Sequence, residues 1–193
     1  NIGYWGDHQI VYLLKLLEAS QGHHPGRLGQ LLTRDIFCYA DVPYEIKPYE
    51  DLLRDPHFSI IFNRERAAEV DRRVRDTGSD GRLAHENGAV LRVNLAEKLL
   101  VPVLSKLSNV VPGGGVWMNT QRPEWNDANN ALPGNGLSVV TFGYLRRHLA
   151  FLRGLFEAAE WGEAAVSEAV AGWLRELNPI LSREGRESSA SSD

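Results

Sequence analysis

The stretch Trp117-Met118-Asn119-Thr120-Gln121-Arg122-Pro123-Glu124-Trp125-Asn126-Asp127-Ala128-Asn129-Asn130 gathers amides, carboxylates and a guanidinium around an indole. That mixture suits a sugar. The apolar face of a pyranose stacks on an aromatic ring, while planar amides and carboxylates bond its hydroxyls. Glu124 or Asp127 can supply an acid that protonates a glycosidic oxygen. Trp125 offers the stacking surface, with Arg122 and Asn126 beside it to bind substrate. The plainer alternative is an Asx-rich loop whose side chains bond only their own backbone. Local bonding of that kind does not by itself call for Trp125 or Arg122.

A second cluster, Gly3-Tyr4-Trp5-Gly6-Asp7-His8-Gln9, stands at the mouth of the first expected helix. Tyr4, Trp5 and Asp7 can line one pocket with His8. The alternative has Asp7 as an N-cap and Tyr4 or Trp5 packed beneath the helix. His8 has no second histidine at a zinc-ligand spacing on that helix. His23-His24 falls in a turn and is expected to be solvated. Gly113-Gly114-Gly115 lacks the strand, helix and lysine of a phosphate loop, so its expected role is a sharp turn. No serine sits in a nucleophile elbow. Cys38, the one cysteine, is expected in the core of a helix rather than as a nucleophile.

The elements that must hold these clusters are mostly helices. Ile10, Leu13, Leu14 and Leu17 give His8 to Ser20 one apolar face. Pro25 opens a second helix through Ile36 and Phe37, ending near Asp41. Tyr44 to Phe62 reads as irregular, with a short helix over Tyr49 to Arg54. Arg64 to Asp76 reads as a charged, solvated surface helix. Asn87-Gly88 turns a small hairpin within Arg82 to Val93. Asn94 to Leu107 is a helix with Leu95, Leu99, Leu100, Val103 and Leu104 inward and Pro102 as a kink point. A long loop is expected from Val111 to Gly136, then helices over Leu137 to Ala159 and Glu163 to Leu181. The total is about six helices and one β-hairpin, in antiparallel helical pairs: a mainly α chain.

The composition sets bounds on partners. The 193 residues suit one domain or part of a larger one, and 43% hydrophobic residues suffice for a packed core. A net charge of -4 argues against nucleic acid as the main partner. No apolar run approaches the roughly 20 residues that span a bilayer, so no membrane is expected. A single cysteine fits a reducing, cytoplasmic setting. The chain starts on motif-like residues with no lead-in, so the remainder of a longer polypeptide is expected as its partner. Residues 186–193 read as a polar tail or linker after a 1–185 domain.

Trp125-Asn126-Asp127, preceded by an acid, resembles the Asp-Trp-Asn-Asp motif of the cellobiose phosphorylase-type family of inverting glycoside phosphorylases. Gly3-Tyr4-Trp5-Gly6-Asp7 resembles that family's earlier Gly-Tyr/Phe-Arg-Asp loop, and the order of the two loops agrees. The resemblance implies that the helical hairpins form part of an (α/α)6 toroid, with the loops over one face. It implies Asp127 as general acid, Trp125 as a platform in the sugar subsite and Asp7 as a hydroxyl-binding acid. Two positions depart from the family pattern: Glu124 stands where the family has Asp, and Trp5 replaces the arginine. The family's downstream phosphate-binding and barrel-closing segments have no counterpart in this chain.

These features lead to an inverting glycosidic-bond cleavage on an oligosaccharide or glycoside. No cofactor is implied, and inorganic phosphate is the co-substrate if the reaction is phosphorolysis. A hydrolase needs a second carboxylate as base, about 6.5–9.5 Å from the acid. Glu124 and Asp7 are the candidates for it. The rival expectation is a noncatalytic helical domain, carbohydrate-binding or scaffolding, within a larger protein.

Overall fold

The structure, a computed structural model, describes residues 6–55, 58–118, 136–159 and 163–190, with backbone alone for 6–8 and 184–190. The described chain is mainly helical with small antiparallel sheets. It divides into two compact units. One comprises residues 35–93. The other comprises 6–34, 94–118 and 136–190, so the first is inserted in the chain of the second.

The larger unit is built from helices α1 (Gly6–His23), α2 (Arg27–Leu31), α5 (Leu95–Leu107), α6 (Val139–Ala158) and α7 (Glu168–Ala190). Ile10, Leu14 and Leu17 of α1 are buried, on the face that the sequence periodicity predicts. Leu99, Val103 and Leu104 of α5 and Leu145, Leu152 and Leu155 of α6 are buried as well, with Leu104 packed in one cluster with Val170 and Leu177 of α7. Asn94 caps α5 by accepting from Glu97 N at 2.9 Å, and Ser138 caps α6 by accepting from Thr141 N at 3.1 Å. Pro102 lies inside α5 without ending it.

The expected helix from Pro25 to Asp41 is corrected: α2 is only Arg27–Leu31. Ile36, Phe37, Cys38 and Tyr39 are β-branched, aromatic or apolar, and Phe37 and Cys38 among them find a strand partner instead. Strand β1 (Phe37–Cys38) pairs antiparallel with β6 (Arg92–Val93), and Ala40 bridges Leu83. Cys38 is therefore a half-buried strand residue, not a helical core residue.

The stretch expected to be irregular contains a hairpin. Strand β2 (Tyr44–Ile46) pairs with β3 (Ile60–Phe62), around helix α3 (Tyr49–Arg54). Tyr44 and Phe62 make an edge-on ring contact at 5.2 Å. Helix α4 (Arg64–Thr77) has no buried residue, as its charge run predicts. After a 3-10 turn, Gly78–Arg82, strands β4 (His85–Glu86) and β5 (Ala89–Val90) form the expected hairpin. Its turn residues Asn87 and Gly88 both take positive φ, at 51° and 81°.

Further along, the expected long loop is corrected at its start, where two strands lie, and the helix expected from Leu137 is preceded by a strand and starts at Val139. Strands β7 (Val110–Val111), β8 (Gly115–Trp117) and β9 (Leu137–Ser138) form one antiparallel sheet. The last helix is displaced as well, starting at Glu168 and running past Leu181 to Ala190. Ser167 fixes that start, because its N–H and hydroxyl are bound by Glu97 of α5. Among the described residues, no helix is long and apolar enough to cross a membrane.

Candidate functional site

The residues singled out for chemistry fall at the limits of the described structure. Tyr4 and Trp5 lie in residues 1–5, outside the described residues. Arg122, Glu124, Trp125, Asn126 and Asp127 lie in residues 119–135, also outside them. Asp7 is described as backbone only, in the first turn of α1, where a helix dipole favours a carboxylate. The described structure does define the frame from which these segments extend.

For residues 119–135 that frame is the β7–β8–β9 sheet, and for residues 1–5 it is the start of α1. Val116 pairs with Ser138 and Trp117 with Leu137, and Met118 N donates to Gly136 O at 3.1 Å. The two residues bordering 119–135 are thus hydrogen-bonded to each other. Trp117 N also donates to Asn109 O at 2.7 Å, tying β8 to the strand before it. The three glycines make this possible. Gly113 has φ +72°, which favours glycine. A Cβ on Gly114 would sit 2.4 Å from Leu137 Cδ1, and one on Gly115 would sit 3.0 Å from the Ser138 carbonyl. The glycine run therefore serves a turn and a close strand approach, as its sequence context suggests. Ser138 then passes directly into α6 as its N-cap.

Helices α1 and α6, which follow the two candidate segments, pack on each other. His148 of α6 is fully buried, and its Nδ1 lies 3.3 Å from the Ile10 carbonyl of α1. A carbonyl only accepts, so Nδ1 carries the proton and donates. Arg147 grips both carboxylate oxygens of Glu18, at 2.9 and 2.6 Å. Lys15 Nζ stands 5.9 Å from the centre of the Tyr144 ring.

Two polar centres were not singled out by sequence reasoning. In the smaller unit, Asp41 is buried at the end of the β1 segment and holds two arginines of α4. Arg66 Nε donates to it at 2.6 Å, and Arg73 Nη2 donates to its other oxygen. Burial pushes the Asp41 carboxyl up, but the hydrogen bonds from Arg73 and Arg66, with their charges, outweigh it and hold the group below its usual range. A carboxylate so held stays ionised at neutral pH, so it serves as an anchor and not as a proton donor. The available signal was the seven-residue spacing of Arg66 and Arg73, which places both on one face of a helix that lacks an apolar face. In the larger unit, buried Glu97 accepts from Ser167 N at 2.6 Å and Ser167 Oγ at 3.0 Å. Asn94 Nδ2 adds a bond to Ala165 O at 2.5 Å. This centre caps α7 and is structural.

Among the described residues, no group of three or more His, Cys, Asp or Glu side chains is arranged to hold a metal ion. His23 and His24 are exposed at the end of α1. In comparisons with known proteins, no family model matches this chain and no curated protein is significantly similar to it.

Proposed function

We propose that this chain carries part of an inverting glycoside-processing site, set in helical hairpins of (α/α)6 type, with Asp127 as general acid. The observation that carries the reading is the run Glu124-Trp125-Asn126-Asp127, with Gly3-Tyr4-Trp5-Gly6-Asp7 before it in the chain. The mainly helical architecture is compatible with it, and each candidate segment leads into a long helix, α1 or α6. Asp127 protonates the departing glycosidic oxygen while water or phosphate attacks the anomeric carbon from the opposite face. Trp125 stacks under the sugar ring, and Tyr4, Trp5, Asp7, Arg122 and Asn126 bind its remainder. For hydrolysis, Glu124 or Asp7 acts as base. For phosphorolysis no base is needed, because phosphate is already nucleophilic.

The test is Asp127→Asn in the full protein, on two substrates. The side chain keeps its size but supplies no proton, so kcat on a natural disaccharide should fall by roughly 10²–10⁴-fold. A nitrophenyl glycoside has a leaving group that needs little protonation, so its rate should fall far less. Trp125→Ala should mainly weaken binding. If Asp127→Asn keeps near-normal kcat while Glu124→Gln abolishes it, the acid is Glu124. If neither change affects turnover, the segment is structural and the noncatalytic domain reading replaces this one.

A further inference from the structure

The seam between α1 and α6 holds a titratable group at its centre. His148 has no solvent exposure, its Nδ1–H is committed to the Ile10 carbonyl, and its Nε2 is buried with no hydrogen-bond partner. As a neutral ring, His148 leaves only one weak acceptor unmet. Once Nε2 is protonated, the site must hold both a charge and an N–H donor that faces no acceptor, which is far more costly in a low dielectric.

The neighbouring charges do little to relieve that cost. From α1, Glu18 is the described residue whose charge acts on the ring, but Arg147 already holds both of its oxygens. Lys15, also on α1, is cationic and lies over Tyr144. From α2, Arg27 bonds Gln30 at 3.2 Å. From α5, Glu97 is bound to Ser167, and Lys98 and Lys106 have partners of their own. Strand β8 brings no titratable group to the seam. The other polar ties across it, Glu18–Arg147 and Lys15–Tyr144, are partly solvated, and the buried apolar side chains of the two helices do not respond to pH.

We propose that His148 is a proton-operated latch: the neutral ring fastens α1 to α6, and its protonation releases the seam. Burial pushes the imidazole below its usual 6.5, against the raising pull of the Ile10 carbonyl and Glu18. The latch is therefore fully closed above about pH 6.5 and is lost as pH falls toward the lowered folded value. Ile10 lies three residues after Asp7, so release loosens first the turn of α1 that carries that acid. The latch itself is independent of any reading of what Asp7 does.

The experiment compares wild type with His148→Phe, which keeps a ring but cannot ionise. Urea unfolding should show the wild-type folded-to-unfolded ratio falling by up to about tenfold per pH unit below about pH 6.5. The variant should lack that component of the slope, leaving the background of the other histidines. Amides of α1, corrected for intrinsic exchange, should exchange faster in wild type at about pH 5.5 than at about pH 7.5. Ring titration of wild type by NMR stands even if the variant does not fold, and His148 should remain neutral below the pH at which a free histidine charges. A ring that titrates at 6.5 or above, or equal acid slopes in wild type and variant, overturns the latch.

Discussion

Asp41 shows how a single side chain can substitute for an apolar face. Helix α4 buries no residue, so it has no hydrophobic means of docking. The buried carboxylate of Asp41 provides one through Arg66 and Arg73. Arg66 is half exposed and screened by water, so most of the effect belongs to Arg73. Asp41→Asn should cost roughly 2–4 kcal/mol at neutral pH, since it leaves a partly buried guanidinium without its counter-charge. The folded carboxyl titrates below 3.8, so this contribution is complete above that pH and is lost as the pH falls through the lowered value. Urea unfolding of both proteins, at neutral pH and at about pH 3, checks the sign. A difference as large at the acid pH as at neutrality would remove Asp41 from this role.

At the scale of elements, the caps decide where helices begin. The start of α7 at Glu168, later than the expected Glu163, follows from Glu97 binding Ser167. A carboxylate accepts from both the N–H and the hydroxyl, whereas an amide has one accepting oxygen and places a donor beside the N–H. Glu97→Gln should therefore cost about 1–3 kcal/mol and speed hydrogen exchange across the first turn of α7. Unchanged exchange there would show that packing of Val170 and Leu177 against Leu104 sets the helix start. A related constraint acts on the 3-10 turn. A Cβ on Gly81 would lie 2.4 Å from the Arg73 carbonyl carbon and the Val74 nitrogen, so only glycine allows that turn to sit against α4.

Across the whole molecule, the burial of apolar side chains is uneven. Of the nineteen buried apolar side chains among the described residues, only Leu52 and Val93 belong to 35–93. That unit also exposes Ile46, Tyr49, Leu53, Phe58, Ile61 and Phe62. Burial of apolar area is the main source of stability, so the two units should not open together. Hydrogen exchange should show β2, β3 and α4 opening at markedly lower free energy than α1, α5 and α6. Equal protection in both sets would mean that polar ties such as Asp41 make up the deficit.

The local sequence determined much of this architecture. The apolar periodicity of α1 and α5, the charge run of α4, the Asn87-Gly88 turn and the bounds of α3 are all decided within one or two helical turns or four residues of chain. Such signals act before any distant contact forms. The proposed chemistry rests on residue types and spacing alone, in Gly3–Asp7 and Arg122–Asp127. Tertiary structure alone decided the rest. Phe37–Cys38 becomes a strand because Arg92–Val93 pairs with it, and the start of the expected loop, Gly115–Trp117, becomes a strand because Val110–Val111 and Leu137–Ser138 pair with it. Asp41, Glu97 and His148 look ordinary in sequence, and each gains its role from a partner more than twenty residues away. No local propensity encodes such a partner, because the free energy of a buried polar group is set by what the folded chain brings to it.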